Sequence, residues 1–180
     1  MTDSFADPIT RTCAKKCNLT AGYFGYALTR RCVLKCPVGY GNPITKLCTP
    51  ICPQSPIQMY GDNITSTCVY KCPNNTYGNK NIDVCVNATD CPANKYGDDS
   101  TNICVGKCPV IINTFGDPIT KKCVKTCQFS YFSDNTTRLC TQTCNVTAQL
   151  YKDPSTSRCV ISCPSTPSLY NDPAVYMCVP

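Results

Sequence analysis

Histidine and tryptophan are both absent from this 180-residue chain. Without histidine, imidazole acid/base catalysis and mixed Cys/His zinc sites are excluded, and a nucleophilic cysteine lacks its usual base. Aliphatic material is scarce as well. Ile, Leu, Val and Phe number 35, or 19% of the residues, too few for the single core that a chain this long normally builds. The 42% hydrophobic content counts 19 Cys and 11 Tyr, so it overstates what can fill an interior. No apolar run approaches bilayer-spanning length, and Met1 to Thr12 has no apolar stretch of the kind a signal peptide carries. Charge is thin: 17 basic and 11 acidic residues leave a net +6, with no block of like sign. The dense basic patch of a nucleic-acid binder is missing. A mild attraction for polyanionic glycans or acidic surfaces is the most that this charge implies. The carboxylates form no paired-acid motif. Their densest group, Asp98-Asp99 with Ser100, falls short of the roughly six to eight oxygens that calcium gathers and reads as turn chemistry. No catalytic, metal or cofactor residues are nominated, and the chain is not expected to be an enzyme.

What is present is cysteine, at more than one residue in ten, the range that signals a disulfide scaffold. The cysteines form doublets four apart: Cys13/Cys17, Cys32/Cys36, Cys48/Cys52, Cys68/Cys72, Cys104/Cys108, Cys123/Cys127, Cys140/Cys144 and Cys159/Cys163. Cys85/Cys91 is two residues wider, and Cys178 stands alone. Such self-similarity decides the fold before any local pattern does. The units run 1–16 (partial), 17–35, 36–51, 52–71, 72–90, 91–107, 108–126, 127–143, 144–162 and 163–180 (truncated).

Within each unit three further positions keep a constant distance to the following cysteine. Eight before it stands an aromatic: Phe5, Phe24, Tyr40, Tyr60, Tyr77, Tyr96, Phe115, Phe132, Tyr151 and Tyr170. Glycine follows in six of ten units. Next comes Asp or Asn everywhere except at Tyr26, and three residues later Thr in eight units. An Asx residue ahead of Pro, as in Asp117-Pro118-Ile119-Thr120, starts a turn because its side chain can accept from backbone N–H groups further on. Thr can close the far end through its hydroxyl. The segment Thr-x-x-Cys then returns as a short strand, with the aromatic on the strand entering the turn. With so little aliphatic material, each ring is expected to pack on a disulfide and on the next unit's ring as a miniature core. The competing reading is a row of exposed aromatics that binds sugar or peptide.

Three disulfide schemes fit the spacing. Sequential pairing joins Cys17–Cys32, Cys36–Cys48, Cys52–Cys68, Cys72–Cys85, Cys91–Cys104, Cys108–Cys123, Cys127–Cys140, Cys144–Cys159 and Cys163–Cys178. It leaves Cys13 for a preceding segment or another chain. The alternatives pair neighbours within each doublet, or cross-link one to three and two to four. The first is favoured because each bond then staples the two arms of one hairpin, contributing about 3 kcal/mol per loop on a chain-entropy argument. Zinc is the competing use of cysteine, but all-cysteine zinc sites usually show two-residue gaps and these are three and five. Compartment bears on the same question. Asn18, Asn63, Asn74, Asn87, Asn135 and Asn145 open N-glycosylation sequons, whereas 14 Asn with 33 Ser plus Thr in 180 residues would give between two and three by chance. The excess points to secretion, where disulfides persist.

The consensus C-P-x-x-x-Tyr-Gly-Asp-x-x-Thr-x-x-C-V-x-K-C-P resembles furin-like, growth-factor-receptor-type cysteine-rich repeats. It is closest to the tandem arrays in surface and secreted proteins of ciliates and other protists. Cys91 to Pro109 and Cys108 to Cys127 match best, and the likeness covers nearly the whole chain. Cys17, Cys127 and Cys144 lack the following Pro, and Tyr26 replaces the Asx. The resemblance implies small disulfide-rich repeats of β-hairpins and loops, stacked as an elongated rod without a single hydrophobic core. It also implies the sequential disulfide pairing, and it brings no catalytic residue.

Ten such units suggest a rod on the order of 100 Å, since an extended three-residue linker spans at most roughly 10 Å. The expected role is structural: an extracellular, N-glycosylated filament, coat or stalk whose partners are copies of itself or further repeats, end to end. No nucleic-acid partner and no membrane-spanning segment are expected. The alternative is a receptor or adhesin ectodomain binding a protein or glycan at an atypical unit. The candidates are Cys17–Lys35, with Gly22-Tyr23-Phe24-Gly25-Tyr26, and Cys127–Thr143, with Phe129, Tyr131 and Phe132.

Overall fold

A computed structural model describes residues 4–17 and 21–180. Twenty short strands occupy the described residues, two to each repeat. The first five repeats carry β1 (Phe5–Ala6), β2 (Cys13–Ala14), β3 (Phe24–Tyr26), β4 (Arg31–Val33), β5 (Tyr40–Gly41), β6 (Cys48–Thr49), β7 (Tyr60–Asp62), β8 (Thr67–Val69), β9 (Tyr77–Asn79) and β10 (Val84–Val86). The last five carry β11 (Tyr96–Asp98), β12 (Ile103–Val105), β13 (Phe115–Gly116), β14 (Cys123–Val124), β15 (Phe132–Asp134), β16 (Leu139–Thr141), β17 (Tyr151–Asp153), β18 (Arg158–Val160), β19 (Tyr170–Asp172) and β20 (Met177–Val179). Two single 3-10 turns, Ala88–Asp90 and Val146–Ala148, are the helical elements among the described residues. The chain is a cysteine-rich protein of small, disulfide-stapled β-hairpin repeats.

The hairpins share one register. The residue after the aromatic lies opposite the first cysteine of the doublet, as in Gly61↔Cys68, Gly78↔Cys85, Gly116↔Cys123 and Lys152↔Cys159. Their turns are built as the Asx/Thr spacing predicts. Asp62 Oδ1 accepts from the Ile64 amide at 3.0 Å while its Oδ2 accepts from the Thr65 hydroxyl at 2.7 Å. The same pair of bonds recurs from Asp117 to Ile119 and Thr120, from Asp134 to Thr136 and Thr137, and from Asp153 to Ser155 and Thr156. Asx side chains buried to 5% exposure or less, such as Asp62, Asp98, Asp117 and Asp153, are tolerable because these local donors replace water.

One detail departs from the sequence expectation. The residue after the Thr position is left-handed in every turn: Arg11, Arg30, Lys46, Ser66, Asp83, Asn102, Lys121, Arg138, Ser157 and Tyr176 have φ between 48° and 62°. Its amide closes back on the Asx carbonyl, as in Lys121 to Asp117 and Arg138 to Asp134. The return strand therefore begins only at the residue before the cysteine or, in β2, β6 and β14, at the cysteine itself, not at Thr. Between the paired Asp62 and Thr67 the loop is thus four residues long and ends in one left-handed residue.

Contacts divide the chain into two compact units, Met1–Asn87 with Thr101–Ile103, and Ala88–Ser100 with Cys104–Pro180. Inside each, successive repeats join by one rule. The amide after the aromatic donates to the carbonyl of the left-handed residue in the next repeat, at 2.8 to 2.9 Å. The first unit does this from Ala6 to Arg30, Gly25 to Lys46, Gly41 to Ser66, Gly61 to Asp83 and Gly78 to Asn102. In the second unit the bonds run from Gly97 to Lys121, Gly116 to Arg138, Ser133 to Ser157 and Lys152 to Tyr176. Own-repeat pairing is antiparallel and next-repeat pairing is parallel.

Apolar burial is spread over small clusters, each centred on a disulfide. The ring of one repeat lies on the disulfide of the next: Phe5 on Cys17–Cys32, Tyr60 on Cys72–Cys85, Tyr96 on Cys108–Cys123, and Phe115 on Cys127–Cys140. Tyr40 and Phe132, both half-buried, lie on Cys52–Cys68 and Cys144–Cys159 in the same way. The second surface under the ring is the next repeat's glycine, rather than its ring. A Cβ added at Gly61 would sit 2.3 Å from the Tyr40 ring, at Gly78 2.5 Å from Tyr60, and at Gly116 2.7 Å from Tyr96. Only a residue without Cβ lets the ring lie flat on the strand there.

Candidate functional site

Nine disulfides join the cysteines in sequential order: Cys17–Cys32, Cys36–Cys48, Cys52–Cys68, Cys72–Cys85, Cys91–Cys104, Cys108–Cys123, Cys127–Cys140, Cys144–Cys159 and Cys163–Cys178. Each closes a loop of 12 to 16 residues around one turn. Cys13, at the start of β2, is unpaired and exposed. So many disulfides belong in an oxidising compartment such as the secretory route or the cell exterior. No helix among the described residues is long and apolar enough to cross a membrane.

Among the sequon asparagines, Asn18 lies outside the described residues. Asn63, Asn74, Asn87, Asn135 and Asn145 are all exposed. Asn63 Oδ1 accepts from the Tyr40 hydroxyl at 2.7 Å, and Asn145 Oδ1 caps the second 3-10 turn through the Thr147 and Ala148 amides. At Asn145 these bonds engage the oxygen, so the turn orients the side chain without using the amide nitrogen to which a glycan attaches.

The two aromatic-rich repeats named from sequence both border apolar clefts. Tyr26, the residue in place of the Asx, lines one of about 280 Å³ together with Leu28, Val38 and Pro50. Phe129, Tyr131 and Phe132 line another of about 400 Å³, with Lys152, Ser157 and Gln142 on its walls. Phe129 is 99% exposed. Tyr131 instead packs beside the Cys127–Cys140 disulfide. The acidic group Asp98-Asp99-Ser100 is turn structure: Asp98 Oδ1 accepts from both the amide and the hydroxyl of Ser100.

The left-handed position has a second use that residue type alone does not announce. At three junctions its side chain lies over the preceding repeat's ring. Lys121 Nζ stands 5.6 Å from the Tyr96 centroid and the Arg138 guanidinium 4.2 Å from that of Phe115, distances at which cation–π attraction operates. Tyr176 stacks on Tyr151 at 5.8 Å. Arg138 is buried, and its Nη2 donates to the Thr114 carbonyl at 2.6 Å and to Pro109 at 3.3 Å. Burial, and then the nearby Asp117 charge, pushes the Tyr96 hydroxyl above its ordinary pKa; burial and Asp83 do the same to Tyr60. Sequence reasoning missed this lid because ten different turns fill it with six residue types. What these positions share is a left-handed backbone, not a residue type.

Comparison with protein-family models, with curated proteins and with solved structures finds no match to this chain.

Proposed function

We propose that this chain is a structural extracellular glycoprotein, part of a disulfide-stapled repeat array that builds a surface filament, coat or stalk by end-to-end continuation. The observation that carries the reading is the single joining rule. At nine successive junctions the same amide meets the same left-handed carbonyl, so a repeat can be added by repeating one contact, and solenoids grow in this way. Disulfides then hold each unit where aliphatic packing is thin. Five exposed sequon asparagines supply attachment points for N-glycans along such an array. The resemblance to furin-like repeats of receptors and protist surface proteins agrees with this role and with an extracellular address. Electron imaging of native, unreduced material tests it. Continuous filaments with a regular axial repeat are expected; discrete particles of uniform length would overturn the end-to-end assembly.

The second reading, a receptor or adhesin ectodomain, is favoured by one observation: apolar clefts border both repeats that depart from the consensus. No reaction is proposed for either reading.

A further inference from the structure

The lid over each ring varies within the second unit, and its variation opens a site. Four rings there have a left-handed residue of the next repeat above them. Lys121 covers Tyr96, Arg138 covers Phe115, and Tyr176 covers Tyr151. The fourth residue is Ser157, whose short side chain cannot reach across Phe132. At the same junction the position that is glycine beneath Tyr96 is Lys152, so Phe132 also lacks a bare strand to lie on. Both changes fall in one place, and a cleft of about 400 Å³ is found there. Its volume lies within the roughly 300–1,000 Å³ of small-ligand sites.

The walls say what fits. Phe132 supplies a half-buried ring, and Phe129, in the preceding loop, a fully exposed one. Ser130, Gln142 and Ser157 place neutral hydrogen-bonding groups around the rings, Lys152 adds an ammonium, and no carboxylate lines the cleft. A flat face for stacking, hydroxyl and amide partners around it, and one unopposed positive charge together match a six-membered sugar ring with a carboxylate. The sugar's apolar C–H face meets an aromatic face, its hydroxyls meet Ser and Gln, and its carboxylate meets Lys152. A cationic ligand would meet Lys152 with like charge. We propose that the Phe129–Phe132–Lys152 cleft is a binding site for an acidic sugar of the uronate class. The site is formed by repeats 127–143 and 144–162 with Met177 of the following repeat on its wall, and it does not depend on whether the array forms filaments.

The test is calorimetric titration of the full oxidised chain with a galacturonate tetrasaccharide, with maltotetraose as the neutral control. Preferential binding of the galacturonate is expected. Phe129→Ala alters an exposed side chain and no charge, so it separates site binding from general attraction to a basic protein. It should weaken binding about tenfold, equivalent to about 1.4 kcal/mol. Ser157→Tyr should close the cleft as Tyr176 covers Tyr151, and abolish binding. Tyr is accommodated at that backbone position, since Tyr176 has φ 48°. Lys152→Gln should remove the preference for the acid over the neutral sugar. Absence of binding, equal binding of maltotetraose, or binding unmoved by both Phe129→Ala and Ser157→Tyr would overturn the proposal. So would Phe129-dependent binding of a Phe-terminated acidic peptide with none of the saccharide.

Discussion

Two stretches of the same repeat treat the aromatic ring differently. From Gly25 to Gly116 the residue after each aromatic is glycine, and the rings of Phe5, Phe24, Tyr60 and Tyr96 are all at most 8% exposed. In the last three repeats that residue is Ser133, Lys152 and Asn171. Of the rings that meet these three residues, Phe132 and Tyr151 are half-buried, while Phe115 keeps 2% exposure beneath Arg138. Where the floor carries a side chain, burial follows the lid: Phe115 is closed by Arg138, whereas Phe132 has only Ser157 at that position. Tyr40 makes the converse point. It has Gly61 below but belongs with Ser66 in the next repeat's left-handed position, and it stays half-buried with its hydroxyl bonded to Asn63.

The largest expected effect removes what both stretches share. Full reduction should unfold the chain, seen as loss of a cooperative transition by calorimetry. Replacing Cys108 and Cys123 together by alanine should lower stability by about 3 kcal/mol. Replacing Cys144 and Cys159, which close a loop of the same separation, should cost less in total. Tyr96 is more deeply buried on the first disulfide than Phe132 on the second. Equal losses in denaturant titrations would break the comparison.

Glycine tests the floor directly. Gly78→Ala places a methyl 2.5 Å from the ring of Tyr60, which is only 2% exposed and has little room to shift. Overpacking of this kind should cost about 1–3 kcal/mol. Lys152→Ala, at the equivalent position of a repeat that already carries a Cβ there, should stay within about 0.5 kcal/mol. The lid is tested by Arg138→Ala, expected to lose about 2 kcal/mol through its buried charge-assisted bonds and the uncovered Phe115. Ser157→Ala should be nearly silent. Thermal midpoints decide both contrasts.

The smallest effect concerns pH. Burial alone would raise the Asp153 carboxyl, but hydrogen bonds from the Ser155 and Thr156 hydroxyls and amides outweigh it and hold the group below its ordinary value near 3.8. A depressed folded value means that its stabilisation is present above the unfolded pKa and lost as pH falls through the folded one. Asp153→Asn should therefore flatten the acid limb of the stability profile below about pH 3.8, leaving neutral stability within about 1 kcal/mol. Asn42 and Asn79 hold the same position with the same amide bonds and no titrating group.

The hairpin, its Asx turn and the repeat length were legible because they rest on bonds between residues a constant few positions apart. Asp117 to Thr120 can be read from chemistry alone, since no distant partner is needed. The ring position was also legible, but what it rests on was not. The Gly78 floor exists only because Tyr60, in the preceding repeat, lands there. The left-handed position escaped notice for a related reason: Arg138, Asn102 and Ser157 share a backbone conformation and no side-chain chemistry. Phe129 and Phe132 were marked as unusual from composition, yet nothing in their spacing showed that Ser157 and Lys152 would leave a cleft beside them.

By itself the sequence determined the local unit: a stapled hairpin with a satisfied turn, repeated along a chain too poor in aliphatics for one core. The hairpin argument already favoured the sequential disulfide pairing; tertiary structure alone decided how repeats join and which rings are covered. The physical reason is range. Turn bonds are settled within a few residues, whereas the floor and lid of each ring come from the next repeat and exist only once the two strands have paired.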